Sequence, residues 1–398
     1  LFHFQKNQQQ IFKGFFFSTN QDRGIPGSLS WPSPKANREN NINLIGIKYV
    51  YLMKHGHLRL HSYQRSSDEY FNDPDLSINS HHRVKVSGIK FNGHQKLNDH
   101  IEFNGIIDLK KESIKSSDVG DRNRKTIATG IQATLKFVDR LNIQPGYRTD
   151  ILDDFIENTY DLTSSLNLSP LGNMTMSFGT GFHAPTFNDL YWVSDSYSEG
   201  NPDLKIEHNQ YRIVRWENNF ESMTNVSLEY RRRYSDNLIT WSSNENYIWK
   251  PKNIDKSERK NMIMSVFIPM IFPGLSISGH VTRTVAIDIN TKKALQHVPK
   301  SSANILINYK KKDLSIEFQG NYTGERPYQE LDDNWEPVDI TLNGFFDIDI
   351  GLHHLFPIQT HQLTLNLIIQ NILDQNTDFF PDYPGPKRRI KLGIELIL

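Results

Sequence analysis

The sequence contains no cysteine, no long apolar run and no net charge. Without cysteine the chain can form neither disulfide bonds nor thiolate metal sites. No stretch approaches the roughly 18 consecutive apolar residues of a membrane-spanning helix, and the mean hydropathy is −0.56. Lysine plus arginine equals aspartate plus glutamate, 45 residues each, so charge does not point to a nucleic-acid partner. A membrane β-barrel remains compatible with these absences, because only every second residue of its strands faces lipid.

Apolar and polar residues alternate along most of the 398 residues, which is typical of strands with one apolar and one polar face. The clearest examples lie near the C-terminus, where Phe346, Ile348, Ile350 and Leu352 alternate with Asp347, Asp349 and Gly351, and Ile390, Leu392, Ile394, Leu396 and Leu398 alternate with Arg389, Lys391, Gly393 and Glu395. We count about 19 strands of about 10 to 13 residues. Soluble sandwiches average about 5 to 6 residues per strand, whereas a tilted membrane strand needs about 9 to 11.

The connections between these strands are alternately short and long. The pattern predicts long connections at residues 64–80, 111–124, 179–207, 235–256, 324–338 and 373–386. In an outer-membrane barrel the short turns are periplasmic and the long loops extracellular. The sequence therefore predicts an all-β fold, a transmembrane antiparallel up-and-down β-barrel with its polar face toward a lumen and its apolar face toward lipid. Because bacterial barrels close with an even number of strands and the chain starts without methionine, we expect at least one strand to be missing from the N-terminal end.

The longest connection has a distinctive sequence. It contains Gly-Phe-His-Ala-Pro at 181–185, Asn-Asp-Leu-Tyr at 188–191 and Gly-Asn-Pro-Asp-Leu-Lys at 200–205, followed by Glu207. A second distinctive stretch is Gln-Asn-Ile-Leu-Asp at 370–374, with Tyr-Pro-Gly-Pro-Lys-Arg at 383–388. Both stretches resemble motifs of the TonB-dependent outer-membrane receptors. The chain departs from the family pattern at His183, at Ile206, where proline is usual, and at Leu398, where phenylalanine is typical.

The resemblance implies a barrel of about 22 strands around an N-terminal plug domain. Residues 1–398 would then be the C-terminal portion of the barrel, with the plug and the first strands missing. It also implies a bacterial outer-membrane location among lipid, active uptake of a scarce large ligand, and energy supplied by the TonB complex through the plug. The 179–207 stretch looks most like the cobalamin-receptor branch, so a cobalamin-like corrinoid is the leading ligand, with a ferric siderophore or haem as the alternative. A surface lipoprotein is a further possible partner, and no cofactor is implied.

A structural or adhesin-like barrel in a cell-surface assembly is the alternative from another class. An enzyme is not expected, since we find no convergent Ser/His or Asp/His set in the sequence.

Aromatic residues in three of the long connections are candidates for ligand contact, because binding sites use aromatic rings for contact area. The three connections should meet at the same end of the barrel. The candidate ligand-binding residues are Trp192, Tyr197, Trp241, Tyr247, Trp249, Tyr328 and Trp335.

Metal sites are less well supported by the sequence. Clustered loop carboxylates, such as those at Asp150, Asp153, Asp154 and Glu157 or at Asp68, Glu69, Asp73 and Asp75, are possible calcium ligands. Their spacing matches no calcium-loop motif, so we interpret both clusters as hydrated acidic loops. The pairs His81–His82 and His353–His354 are interpreted as solvated histidines, and no metal site is predicted.

Overall fold

A computed structural model describes residues 2–5, 7–153, 155–195, 198–220, 223–243, 248–331, 337–358 and 361–397. Within these ranges the regular structure consists of 21 strands, one short α-helix and one 3-10 turn at Val138–Arg140. The chain divides into two compact units. Unit 1 contains residues 1–166, 177–211 and 235–256, and unit 2 contains residues 167–176, 212–234 and 257–398.

Unit 1 is built on nine consecutive strands. They are β1 (Phe2–Gln5), β2 (Gln10–Gly24), β3 (Asn37–Met53), β4 (Gly56–Asp73), β5 (Ile78–Lys96), β6 (Ile101–Ser116), β7 (Gly120–Phe137), β8 (Leu141–Leu152) and β9 (Phe155–Asn167). Each strand pairs antiparallel with the next one along the chain. The register is unbroken from β2 to β7, so residues of one face stay in continuous rows across these strands.

Four central strands contribute residues to both units. They are β10 (Asn173–His183), β11 (Glu207–Asn219), β12 (Asn225–Ser243) and β13 (Trp249–Phe272). The helix α1 (Phe187–Tyr191) lies in the connection between β10 and β11 and belongs to unit 1.

Unit 2 continues the antiparallel order. It contains β14 (Leu275–Asp288), β15 (Ser301–Lys311), β16 (Leu314–Thr323), β19 (Phe345–Ile358), β20 (His361–Gln370) and β21 (Arg389–Ile397), with β17 (Arg326–Leu331) and β18 (Pro337–Leu342) as a separate hairpin between β16 and β19. The remaining pairs follow the chain from β13 to β21. The main sheet holds 19 of the described strands, which confirms the predicted count and the up-and-down order.

Three predicted long connections are wrong in extent. Most of 64–80, 111–124 and 235–256 is strand, so β4 and β5 are separated by only four residues and β6 and β7 by only three. The strands are also longer than expected: β5 has 19 residues and β13 has 24. A strand that continues beyond the bilayer meets water on both faces, so its apolar alternation disappears and its sequence looks like a loop.

The two faces of the sheet differ as predicted. On β6 the side chains of Ile107 and Leu109 are 46% and 44% exposed, while Asp108 between them points to the other face and pairs with Lys90 at 3.2 Å. In unit 2, Val281 and Val285 of β14 are also exposed, whereas Ala286, whose side chain points to the other face, is buried. An apolar face left outside the protein is what lipid contact requires. No helix of the described residues is long and apolar enough to cross a bilayer.

Candidate functional site

The helix α1 is held by a capping box at its N-terminus. The hydroxyl Oγ1 of Thr186 accepts a hydrogen bond from the backbone nitrogen of Asp189 at 3.1 Å. In return, Oδ2 of Asp189 accepts from the backbone nitrogen of Thr186 at 2.8 Å and from its hydroxyl at 2.7 Å. The two residues thereby satisfy backbone donors that a helix start leaves unpaired, so even this five-residue helix has a defined beginning.

The second carboxylate oxygen of Asp189 fixes the helix to β12. The indole Nε1 of Trp241 donates to Oδ1 of Asp189 at 2.8 Å, and the aspartate is buried. A buried carboxylate is tolerated only when its oxygens are hydrogen-bonded. Trp241 therefore helps to position the loop.

Two arginines of β7 hold the other side of the same loop. Arg124 donates from Nη2 to the carbonyl of Pro185 at 2.7 Å, and its guanidinium lies 5.1 Å from the ring centre of Phe187. The guanidinium of Arg122 lies 4.4 Å from the ring centre of Tyr191. Such cation–π contacts are each worth about 0.5–1 kcal/mol or more. Together these contacts hold α1 against the N-terminal end of β7.

The Gly-Asn-Pro segment joins the loop to β13. A side chain at Gly200 would come within 2.6 Å of the backbone nitrogen of Trp192, so this close approach requires glycine. Asn201 donates from Nδ2 to the carbonyl of the buried Pro251 at 2.9 Å. Asn253 of β13 then binds both backbone groups of Lys205, accepting at 2.9 Å and donating at 3.1 Å.

The residues of the most distinctive sequence motif are therefore mostly scaffold. Leu204, Ile206 and Glu207 are also buried. The hydrogen bonds of Thr186, Asp189 and Asn201 are made within the protein, so these residues hold the loop in place.

A cavity of about 860 Å³ lies beneath the docked loop, within unit 1. The loop contributes Asn188, Trp192 and Val193 to its wall, and the strands contribute apolar residues such as Phe71 and Ile114. Charged groups also line it: Arg38 pairs with Glu69, and Asp118 lies 3.5 Å from Nε2 of His82. Nε of Arg38 is buried and has no hydrogen-bond partner among the described residues. An aromatic surface with a few polar groups is the usual composition of a small-molecule site.

Three of the predicted ligand residues lie in the loop between β10 and β11 or are hydrogen-bonded to it. Trp192 lines the cavity, Trp241 is bound to Asp189, and Trp249 is 52% exposed with its carbonyl accepting from the backbone nitrogen of Glu199 at 3.0 Å. All three belong to unit 1. Three further candidates, Tyr197, Tyr247 and Trp335, lie outside the described residues.

Tyr328 belongs to unit 2 and takes part in a separate aromatic cluster. His297 packs between Tyr328 and Phe380, with ring centres 5.2 and 5.1 Å apart. Beneath them Arg326 is only 1% exposed, and its guanidinium donates to the carbonyls of Phe379, at 2.8 Å from Nη2, and of Asn343, at 3.1 Å from Nη1. Sequence reasoning missed His297 and Arg326, because neither lies in an aromatic run or a recognisable motif.

The two acidic clusters are engaged by protein groups. Arg148 donates two hydrogen bonds of 2.7 Å to Asp150, His208 contacts Glu157 at 2.8 Å, and the backbone nitrogen of Lys125 donates to Asp153 at 3.0 Å. In the other cluster, the partners are His81 and Arg83 for Asp68, Arg38 for Glu69, backbone nitrogens for Asp73 and Lys35 for Asp75. Asp154 lies outside the described residues. Within the described ranges, no group of three or more metal-ligating side chains is arranged to hold an ion.

Comparison with known proteins gives concordant results. A family model described as TonB dependent receptor-like, beta-barrel matches residues 4–372. The vitamin B12 transporter of Photobacterium profundum is 24% identical over 299 residues, which cover 71% of this chain and 47% of the relative. A vitamin B12 transporter of Vibrio vulnificus is 21% identical over 329 residues, or 77% of this chain and 49% of the relative. The chain thus spans about half the length of the curated relatives it matches.

Among solved structures, the siderophore receptor PirA from Acinetobacter baumannii superposes with a TM-score of 0.83 and 13% identity, over 98% of this chain and 69% of that one. The ferric enterobactin receptor PfeA from Pseudomonas aeruginosa gives a TM-score of 0.80 and 13% identity, over 98% and 68%. At this level of identity, the likeness concerns the fold.

Proposed function

This chain belongs to the family of TonB-dependent receptor-like β-barrels, and we propose that it serves the active uptake of a scarce large solute, with a cobalamin-like corrinoid as the leading ligand. Family membership, together with the exposed apolar face of the strands, places the protein in the bacterial outer membrane. The family is one of receptors and transporters rather than of enzymes. The observation that carries the proposal is the family match over residues 4–372, and the vitamin B12 transporters among the relatives favour the corrinoid.

The cavity beneath the docked loop is the proposed ligand site. Its volume, about 860 Å³, is within the range of about 300–1,000 Å³ that small-molecule pockets occupy. Trp192 supplies a rigid aromatic surface, and Arg38, Glu69 and His82 supply polar groups that can orient a ligand. The hydrogen bonds of Asp189 and Asn201 keep the loop in place above the cavity, so the site is formed before the ligand arrives. Trp249, at the start of β13, and Tyr328, in β17, remain proposed ligand contacts.

Energy for release of the ligand would come from the TonB complex, as in the family. We therefore expect binding itself to be independent of TonB and uptake to depend on it.

A ferric siderophore is the second candidate ligand. The observation in its favour is the close superposition on solved siderophore receptors, which is a likeness of fold. Ligand binding separates the two candidates directly.

The test is the binding of cyanocobalamin to the detergent-solubilised protein, measured by equilibrium dialysis. We expect tight, saturable binding that Trp192→Ala weakens by about tenfold or more, because aromatic anchors in desolvated pockets carry much of the binding energy. Trp31→Ala is the matched control: Trp31 is 74% exposed and does not line the cavity, so affinity should be unchanged. Absence of cobalamin binding together with binding of a ferric siderophore would replace the leading ligand with the second.

A further inference from the structure

A groove on the lipid-facing side of unit 1 is apolar along most of its length and basic at one end. Its volume is about 590 Å³. The groove crosses β3 to β7, and its lining includes two rows of side chains that the antiparallel register places next to each other. One row consists of Ile47, Ser62, Ile89, Leu109 and Ile127, and the next consists of Ile45, Gln64, Ser87, Lys111 and Lys125.

Both rows point away from the lumen of the barrel. Ile47 and Ile127 are apolar, yet their side chains are 60% and 47% exposed. Asp108, the neighbour of Leu109 in the chain, points to the opposite face, where it pairs with Lys90. Successive side chains of a strand point to opposite faces, so a domain held inside the barrel cannot reach the groove. In a membrane its apolar part meets hydrocarbon.

Small side chains make this part of the surface concave. Ser62 lies between Ile47 and Ile89 in the first row. Ser87 lies next to Lys111 in the second row. Each serine leaves open a volume that a large apolar side chain would fill, so the isoleucines of β3 form one wall and the side chains of β6 and β7 form the other. Such a groove suits a slender apolar chain.

Two lysines lie side by side at the basic end. Lys111 of β6 is directly opposite Lys125 of β7, which places their Cβ atoms about 4.5–5.5 Å apart. Lys85 of β5 is diagonal to Lys111 on the same face. In the part of the chain that the structure describes, none of these three ammonium groups has an ion pair or a side-chain hydrogen bond. Like charges directly opposite on neighbouring strands are destabilising, so an anion between Lys111 and Lys125 would relieve their repulsion.

The position of the lysines along the strands matches the level of lipid headgroups. On the outward face of β6, Leu109 is followed by Lys111 and then by Ser113, so the apolar face ends at the lysine. Arg124, next to Lys125 in the chain, donates to Pro185 in the long loop between β10 and β11. Long loops of outer-membrane barrels are extracellular, so the basic end of the groove lies at the outer leaflet.

We propose that this groove binds a lipid of the outer leaflet that carries a phosphate monoester. Its acyl chain lies along the apolar row, and its phosphate lies between Lys111 and Lys125. A phosphate monoester carries about one to two negative charges at neutral pH, which matches two facing lysines with Lys85 close by. Lysine stems lie along apolar surface and keep the ammonium group at the headgroup level. The proposal depends on which face meets lipid and is independent of the identity of the transported ligand.

The experiment is native mass spectrometry of the detergent-solubilised full chain, titrated with phosphatidic acid and separately with phosphatidylcholine of the same acyl chains. We expect one phosphatidic acid to bind saturably and at least about tenfold more tightly than phosphatidylcholine, whose choline group cancels the negative charge. Lys111→Gln/Lys125→Gln should remove most of this preference, since the attraction of each lysine to an anionic headgroup is worth about fivefold in affinity. Equal binding of the two lipids by the unaltered chain would overturn the proposal.

The matched control for charge is Arg83→Gln/Lys115→Gln. These two cations lie on the same face, two rows beyond Lys111 toward the strand ends, and neither lines the groove. They already pair with carboxylates, Arg83 with Asp68 at 3.1 Å and Lys115 with Asp121 at 4.0 Å. The affinity for phosphatidic acid should therefore be unchanged. An equal loss in both double variants would show general attraction of anionic lipid to surface charge, and the proposed site would be rejected.

A second pair of variants tests the apolar part of the groove. Ser62→Phe fills the groove with a ring and leaves the lysines in place, so phosphatidic acid should bind at least about fivefold more weakly. Thr129→Phe adds the same ring to the same face outside the groove and should leave the affinity unchanged. Equal affinities in these two variants would contradict the acyl-chain position. Thermal unfolding of each variant in detergent, without added lipid, establishes that it is folded.

Discussion

His297 shows how a single residue acquires a role that its sequence neighbours do not indicate. Its ring packs between Tyr328 and Phe380 and remains partly exposed. Partial burial, with the nearby charge of Arg326, holds the pKa of His297 below its usual value. Both effects disfavour the protonated ring, so the neutral form is the one that packs.

Acidification should therefore loosen this cluster. A depressed histidine pKa means that the unfolded segment binds a proton first, so the contribution to stability is complete at about pH 8 and is lost as the pH falls through about 6.5. We expect lower amide protection in β17 and in the segment around Phe380 at about pH 5, measured by hydrogen exchange. His297→Phe keeps an aromatic ring and should remove the difference between the two pH values. An undiminished pH response in this variant would show that another group titrates.

The connection between β10 and β11 is the element in which motif and structure correspond most closely. Its motif residues were recognisable in the sequence. In the structure they form hydrogen bonds with one another and with the neighbouring strands β7, β12 and β13. Among the candidates in the described residues, Trp192 lines a cavity. Trp241, a candidate on the same grounds, donates to Asp189. Aromatic composition alone cannot distinguish a tryptophan that lines a cavity from one that holds a loop, since the hydrogen-bond partner comes from a distant part of the chain.

Asp189→Asn tests the internal bonding of this element. Asparagine keeps one acceptor oxygen, so either the contacts to Thr186 or the bond from Trp241 must be lost. We expect the loop to lose about 1 kcal/mol of local stability and to be cut by trypsin at Lys205 about fivefold faster. Asp203→Asn is the control in the same loop, because its carboxylate is exposed and has no side-chain partner in the described part of the chain. Equal rates in the two variants would contradict the capping role.

At the scale of the whole molecule, apolar and polar side chains alternate along the strands, so one face of the sheet suits lipid and the other suits water. Exposed apolar side chains recur on one face of the strands in each unit, while ion pairs such as Lys90–Asp108 and Arg148–Asp150 recur on the polar face of unit 1. A water-soluble protein would bury the apolar face. A membrane barrel exposes it to lipid and keeps the charges in the lumen.

Adjacent residues of β7 provide a test of this arrangement. Ile131 is 56% exposed on the apolar face, whereas Gln132 belongs to the polar face and lies opposite Asn104. Ile131→Arg should reduce the free energy of folding into lipid vesicles by about 2–4 kcal/mol if the residue lies near the bilayer midplane. Gln132→Arg should have little effect in the same urea titration. Equal costs for the two substitutions would mean that the faces are assigned incorrectly.

The sequence by itself determined the strand type, the strand count, the up-and-down order and the family, because a period of two and contiguous motifs are local properties of the chain. It did not determine where strands such as β5 and β13 end, since beyond the bilayer both faces meet water and the alternation is lost. Only the tertiary structure decided which motif residues are scaffold and which side chains line a cavity. It also brought Ile45, Leu109 and Lys125 to one groove, because the register between strands joins residues that lie far apart in the sequence.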